Sequence, residues 1–194
     1  VVLKNNKIEI TFNTKGAVVE KAVIKNYVGH DIKKKDGSND KKDVTLFDSS
    51  EQSLNYTLTA KEVNINTGDL YFQTSGVTDS TVTFTAQAGQ GKTISLKYVL
   101  GKDYMLHMEM SAQGMAGLFA PNTQNMDVNW KDKARQQERG FSFENRYATL
   151  TYHKTEGGTD YLNESKENID KSIEEKIDWV AFKNQFFSAV MIAK

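Results

Sequence analysis

Alternation of apolar and polar residues at every second position is the feature that most narrows what this chain can fold into. Ile8, Ile10 and Phe12 alternate with Lys7, Glu9 and Thr11. Successive side chains of an extended chain point to opposite faces, so this pattern buries one face of a strand and wets the other. Lys15 and Gly16 make a turn, and residues 18–27 read as the next strand. The same period returns in Ile94, Leu96, Tyr98 and Leu100. It continues beyond Gly101-Lys102-Asp103 in Leu106, Met108 and Met110, which predicts a hairpin with a three-residue loop. His107 and Glu109 then fall on the wetter face. Met126, Val128 and Trp130 alternate again, and residues 141–153 read as strand with Leu150 and Tyr152 on one face. Shorter strands are expected at residues 44–47, 54–59, 62–65 and 70–73.

Between these runs lie two hydrophilic stretches. Residues 30–43 read as a loop, with lysines at positions 33–35, 41 and 42 interleaved with Asp31, Asp36, Asp40 and Asp43. The lysines are either a phosphate or lipid head-group patch or a solvated loop, and the interleaved carboxylates favour the loop. Residues 131–140 have room for one or two helical turns. Residues 162–177 place Ile169, Ile173 and Ile177 on one narrow helical stripe, yet are polar enough for a loop with at most a short helix. The densest apolar run closes the chain, at residues 179–194. Its Phe, Val, Met and Ile side chains are worth about 1.5–3 kcal/mol each when fully buried, which predicts strand, tight bend and strand, both buried on two faces. Such an apolar end also suggests that the natural chain runs on. The expected sum is on the order of twelve to sixteen strands: an all-β antiparallel sandwich with little helix, residues 1–194 as one domain without an internal linker.

Composition bears on function mainly by exclusion. Basic and acidic residues balance at 25 each, so nothing global draws the chain to nucleic acid. With no cysteine there are no disulfides, thiolate metal sites or thiol nucleophiles. No run of eighteen apolar residues is present to form a transmembrane helix. Phosphate-binding glycine loops, nucleophile elbows, paired-histidine metal motifs and calcium loops are all missing, and His30, His107 and His153 are scattered. Nothing commits the chain to catalysis, a metal or a cofactor. Arg135, Arg139 and Arg146, the only arginines, lie near Trp130, Phe141 and Tyr147. Arginine with aromatics is the composition of a recognition surface, so Trp130, Arg135, Arg146 and Tyr147 are candidate interaction residues. The alternative is that an arginine pairs with a carboxylate such as Glu138 or Glu144.

The two ends of the chain carry a resemblance. Residues 5–17, NNKIEITFNTKGA, followed by Val23-Ile24-Lys25-Asn26-Tyr27, resemble the opening of the large periplasmic domain of YidC, the bacterial membrane protein insertase. Residues 178–189, DWVAFKNQFFSA, resemble that domain's end, where a Trp precedes an aromatic pair. Gly16, Tyr27, Trp179, Phe186 and Phe187 are the motif residues, expected to be structural. Ala17 departs from the family, which often has a second glycine there. The resemblance implies a galactose-mutarotase-like super-sandwich of two twisted antiparallel sheets, on the periplasmic face of the bacterial inner membrane. It further implies a non-catalytic accessory role, through contacts with Sec translocon components (SecD, SecF) and inserting membrane proteins, with the remainder of the chain spanning the membrane. The competing reading is a carbohydrate-active or carbohydrate-binding protein on the same fold. It would use His107 and Glu109 as acid and base, or Trp130 and Tyr147 as stacking platforms, since fold alone does not fix function.

Overall fold

The computed structural model describes residues 1–33, 39–48, 52–61, 64–119, 125–163 and 170–193. It is 59% strand and 6% helix, with antiparallel sheets and no closed barrel, so the all-β class read from the sequence holds. The described residues contain fifteen strands in two compact units: Val1–Asn26 with Phe47–Lys133, and Tyr27–Leu46 with Ala134–Lys194. The long strand β3 (Val18–Lys33) and β4 (Asn39–Phe47) contribute residues to both.

The first unit is built on the alternating runs. β1 (Val2–Lys4), β2 (Ile8–Asn13) and the first half of β3 form one sheet. A second sheet has the order β10-β9-β8-β7, where β7 is Gln73–Ser75, β8 Thr81–Gln87, β9 Thr93–Leu100 and β10 Leu106–Gln113. A third joins β5 (Gln52–Leu58) to β6 (Ile65–Asn66) and β11 (Met126–Asp132). Ile8, Ile10 and Phe12 are buried, as are Ile94, Leu96, Tyr98 and Leu100. The rings of these two runs meet: Phe12 lies 4.7 Å from Tyr98 and 5.7 Å from Phe84, centroid to centroid, and Phe84 sits edge-on to Tyr98. The first two sheets therefore face each other across an aromatic core. β8 supplies Val82, Phe84 and Ala86 to it, in an alternation that the sequence reading passed over.

Polar contacts fix this core. The Tyr98 hydroxyl donates to the Ala17 carbonyl at 2.8 Å. That carbonyl is presented by a turn in which Gly16 (φ +78°) and Ala17 (φ +52°) are both left-handed, a conformation that costs a non-glycine residue roughly 1–2 kcal/mol. A glycine at position 17, as the family often has, would avoid the strain. Gly16 is required by its left-handed backbone; beside Gly68 an added Cβ would make only ordinary contact, 3.4 Å from the Gly68 Cα. In the β9–β10 hairpin the pairing begins at Leu100 and Leu106, so the loop has five residues rather than three. The loop is closed by the Gly101 amide on the Met105 carbonyl at 2.9 Å and anchored by the Asn5 side-chain amide, which donates to the carbonyls of Gly101 and Asp103 at 2.8 and 2.7 Å.

The second unit carries the sheet β13-β12-β14-β15, with β12 Thr149–Lys154, β13 Gly158–Asn163, β14 Ile177–Lys183 and β15 Ser188–Ile192. The closing segment is strand, bend and strand, as read from the sequence, but it is not core on both faces. In it only Ala181 is buried, and Val190 and Ile192 are exposed. β15 ends its sheet, so an apolar outward face finds no partner strand among the described residues; composition counts apolar area without saying which face will be covered. Tyr152, the large buried side chain of this sheet, donates its hydroxyl to Asp160 at 2.8 Å. Lys171 and then Tyr152 hold the Asp160 carboxyl well below the usual carboxylate range.

Three further expectations change. Residues 30–33 and 39–43, read as loop, are strand in β3 and β4; Lys34 and Lys35 lie outside the described residues. Residues 131–140 hold no helix, and among the described residues the only α-helical turn is α1 (Phe141–Glu144), followed by a 3-10 turn at Asn145–Tyr147. The strand expected from residue 141 starts at Thr149. The loop reading of residues 162–177 agrees with the non-helical positions 170–176, and 164–169 lie outside the described residues.

Two predictions follow from this packing. Burial pushes the Tyr56 hydroxyl, hydrogen-bonded to Tyr98, up to about 12, and pushes that of Tyr98 well above its ordinary value. Between about pH 10 and pH 12 the unfolded state has therefore lost tyrosine protons that the folded state keeps, so stability falls with rising pH. Urea midpoints should be insensitive to these groups below about pH 10 and drop across that window. Phe84→Ala should cost about 3–5 kcal/mol, whereas Phe186→Ala should cost under about 1 kcal/mol. Urea unfolding of both variants checks this ranking, which reverses the weight that apolar density gives to the closing stretch.

Candidate functional site

A buried carboxylate frames the most distinctive surface of the second unit. α1 forms because the Gly140 carbonyl accepts from the amides of Phe143 and Glu144, each at 2.9 Å, which turns the Glu144 side chain inward. Its oxygens accept from the Gln137 amide at 2.9 and 3.2 Å, the Glu138 amide at 3.0 Å and the Asn184 side-chain amide at 2.6 Å. Asn184 also donates to the Arg135 carbonyl at 2.9 Å. Gln137 in turn donates to the Thr45 carbonyl at 2.8 Å and accepts from the His30 amide at 2.7 Å. One glutamate thus ties together β3, β4, the 135–138 segment, α1 and the bend between β14 and β15. Charged acceptors make the stronger hydrogen bonds, roughly 1.5–3 kcal/mol each, so this frame is stiff.

What it holds outward is a mixed surface, with apolar Val28, Phe143 and Phe186 set among polar His30, Glu138, Arg139 and Gln185. An open groove of about 530 Å³ runs between Val28, Gly29 and His30 on one side and Glu138–Gly140 with Phe143 on the other, and Gln185 and Phe186 close it. Phe143 stands edge-on to Tyr147 at 5.5 Å, and Tyr27 edge-on to Phe187 at 5.6 Å. Around the groove Tyr27, Val28, Phe141, Phe143, Tyr147 and Phe186 are all exposed, from 45% for Tyr147 to 66% for Phe186. Arg139 lines the groove, and Arg146 is exposed on the 3-10 turn beside Tyr147. Singly exposed apolar residues are ordinary, but six of them around one groove make it a candidate contact site.

Of the interaction residues read from the sequence, Arg146 and Tyr147 lie at this surface. Arg135 is half-buried behind it, and Trp130 belongs to β11 of the other unit. Of the motif residues, Tyr27 and Phe186 border the groove. Phe187 is half-buried against Tyr27, and neither Phe186 nor Phe187 enters a core. Both sit in the bend closed by the Asn184 amide on the Phe187 carbonyl at 2.8 Å, where strand alternation no longer applies. Trp179 stacks on His153 at 5.8 Å and 18° between planes. His153 Nδ1 lies 3.1 Å from Asp178, which also accepts from the Thr155 hydroxyl at 2.7 Å; Thr155, then His153, lowers the Asp178 carboxyl. His107 and Glu109 are exposed on β10, paired with Val99 and Lys97. Among the described residues no three metal-ligating side chains converge. Sequence reading missed Val28, His30, Phe143 and Gln185 as groove residues; a Phe-Ser-Phe run in a strand reading gives no hint that a helical turn will bring both rings outward.

An all-β domain presenting an arginine-flanked aromatic groove is the class that fold and surface define. Comparison with known sequences is specific. The family described as "YidC periplasmic domain" matches residues 1–194, and the chain belongs to that family. It is 43% identical over 192 residues to the membrane protein insertase YidC of Phocaeicola vulgatus, covering 98% of this chain and 29% of that protein. It is 41% identical over 193 residues to the YidC of Bacteroides fragilis, covering 99% and 30%, and 32% identical over 194 residues to that of Porphyromonas gingivalis W83, covering 99% and 30%. The chain therefore spans under a third of the length of these relatives. No solved structure matches it.

Removing the frame should loosen the groove. Glu144→Ala strands the amides of Gln137, Glu138 and Asn184, and with roughly 1–3 kcal/mol for a buried donor left unpaired, a loss of about 3 kcal/mol or more is expected. Glu144→Gln, which keeps an acceptor, should lose less. Urea unfolding with hydrogen exchange at residues 137–138 measures both.

Proposed function

We propose that this chain is the periplasmic module of an insertase at the bacterial inner membrane, that residues 1–194 act as one functional domain, and that its role is non-catalytic. In this reading it supports insertion and folding of inner-membrane proteins through protein contacts with Sec translocon components such as SecD and SecF. The remainder of the protein spans the membrane. The observation that carries the reading is the full-length family match, together with relatives named membrane protein insertases that are more than three times as long as the matched region. The geometry adds a surface of recognition composition, aromatic rings with Arg139 and Arg146, held on a stiff frame. Gly16, Trp179 and Phe187 are structural in this scheme; Tyr27, Phe186, Arg146 and Tyr147 belong to the surface, and Trp130 and Arg135 support the strands and frame behind.

The test is affinity purification of the full-length insertase from cells with residues 1–194 present or replaced by a flexible linker. Recovery of SecD and SecF should fall several-fold on replacement; undiminished recovery would sink the reading. The same chain, titrated with monosaccharides under tryptophan fluorescence, should give no saturable change. Acceleration of glucose anomer exchange that is abolished by His107→Ala would favour the carbohydrate enzyme instead.

A further inference from the structure

We infer that the exposed surface of the second unit, centred on Phe143, Phe186 and Val28, docks on the interfacial region of an anionic phospholipid bilayer. The inference deepens the functional reading above and rests on the chain being a module of a membrane protein insertase, but it assigns this surface to lipid rather than to a protein partner.

Side-chain type, placement and charge favour lipid. Tyr27, Val28, Phe141, Phe143, Tyr147 and Phe186 project half-exposed or more from a strand, a single helical turn with its 3-10 extension, and a bend. Exposed rings clustered around one groove are the side chains enriched at membrane–water interfaces. The charge around them is complementary to lipid phosphate. Residues 27–30, 135–147 and 183–187 contain four basic residues (Arg135, Arg139, Arg146, Lys183) against two acidic ones (Glu138, Glu144), a net of +2 in a chain that is neutral overall. Glu144 is moreover buried and turned onto amide donors, so the carboxylate that would repel a phosphate faces away. Apolar insertion with arginine attraction is the combination by which soluble modules lie on membrane surfaces. The frame around Glu144 keeps the rings extended before contact, so little ordering is required at docking.

Vesicle co-sedimentation of the 194-residue chain tests this, using phosphatidylethanolamine:phosphatidylglycerol 3:1 vesicles against pure phosphatidylcholine. Binding is expected on the anionic vesicles, weaker on the neutral ones, and reduced by added salt through screening. Phe143→Ser/Phe186→Ser should lower the partition coefficient at least about tenfold, because each ring would otherwise gain burial worth about that factor. Arg139→Gln/Arg146→Gln should abolish the preference for anionic lipid. Both positions of the ring variant are exposed, so far-UV circular dichroism should be unchanged, and Tyr71→Ser/Tyr104→Ser, altering exposed rings of the first unit, should bind like the parent. Absence of vesicle binding by the parent chain, or equal binding by the ring variant, overturns the inference. If vesicle binding is absent while SecD and SecF recovery still depends on residues 1–194, this inference fails and the functional reading stands. Loss of that recovery with the ring variant, without vesicle binding, assigns the surface to protein and overturns the inference equally.

Discussion

The contact on which the first unit depends is the meeting of Phe12, Phe84 and Tyr98. Each ring comes from a different strand, so their packing sets how two sheets face one another, and aromatic side chains of this size dominate the burial energy of a core. The Tyr98 hydroxyl cannot be left unpaired there without a cost of roughly 1–3 kcal/mol. It reaches the Ala17 carbonyl, and that bond fixes the left-handed turn at Gly16 and Ala17, which in turn starts β3 in register. Side-chain alternation makes the arrangement exclusive: a shift of one residue in β2 or β9 would carry every apolar side chain to the wet face.

The second unit is held differently. Its frame is a buried carboxylate whose acceptors are matched by backbone and side-chain amides, and its sheet ends in an edge strand with exposed valine and isoleucine. A polar frame fixes geometry without consuming apolar side chains, so aromatic rings remain available to face outward. The first unit packs Phe12, Phe84 and Tyr98 against one another, whereas the second leaves Phe141, Phe143, Tyr147 and Phe186 exposed around its polar frame.

How much of this was readable without the fold varies with the range of the interaction concerned. The strands at Ile8–Asn13, Thr93–Leu100 and Met126–Asp132 were visible because alternation is a local consequence of extended backbone. So was the strand–bend–strand form of the closing segment. The groove was half visible: Arg146, Tyr147, Tyr27 and Phe186 were named, by composition or by resemblance, but as members of separate groups. Val28, His30, Phe143 and Gln185 were not, because the 138–143 turn and the 184–187 bend meet β3 through Glu144, Gln137 and the Tyr27–Phe187 contact, none of which has a local signature.

The sequence by itself determined the all-β class, the core faces of β2 and β9 and the family, since these follow from residue type at short spacing and from motifs that stand intact in the chain. The apolar faces of β10 and β11 are not buried, and Val128 is exposed. Tertiary structure alone decided that the densest apolar segment lies at a half-exposed edge while Val82, Phe84 and Ala86 take the core. It also decided that residues 141–147 coil into short helical turns and that Phe186 points to solvent. The physical reason is that burial depends on what lies opposite a face, and that partner comes from residues tens to a hundred positions away whose approach no local pattern encodes.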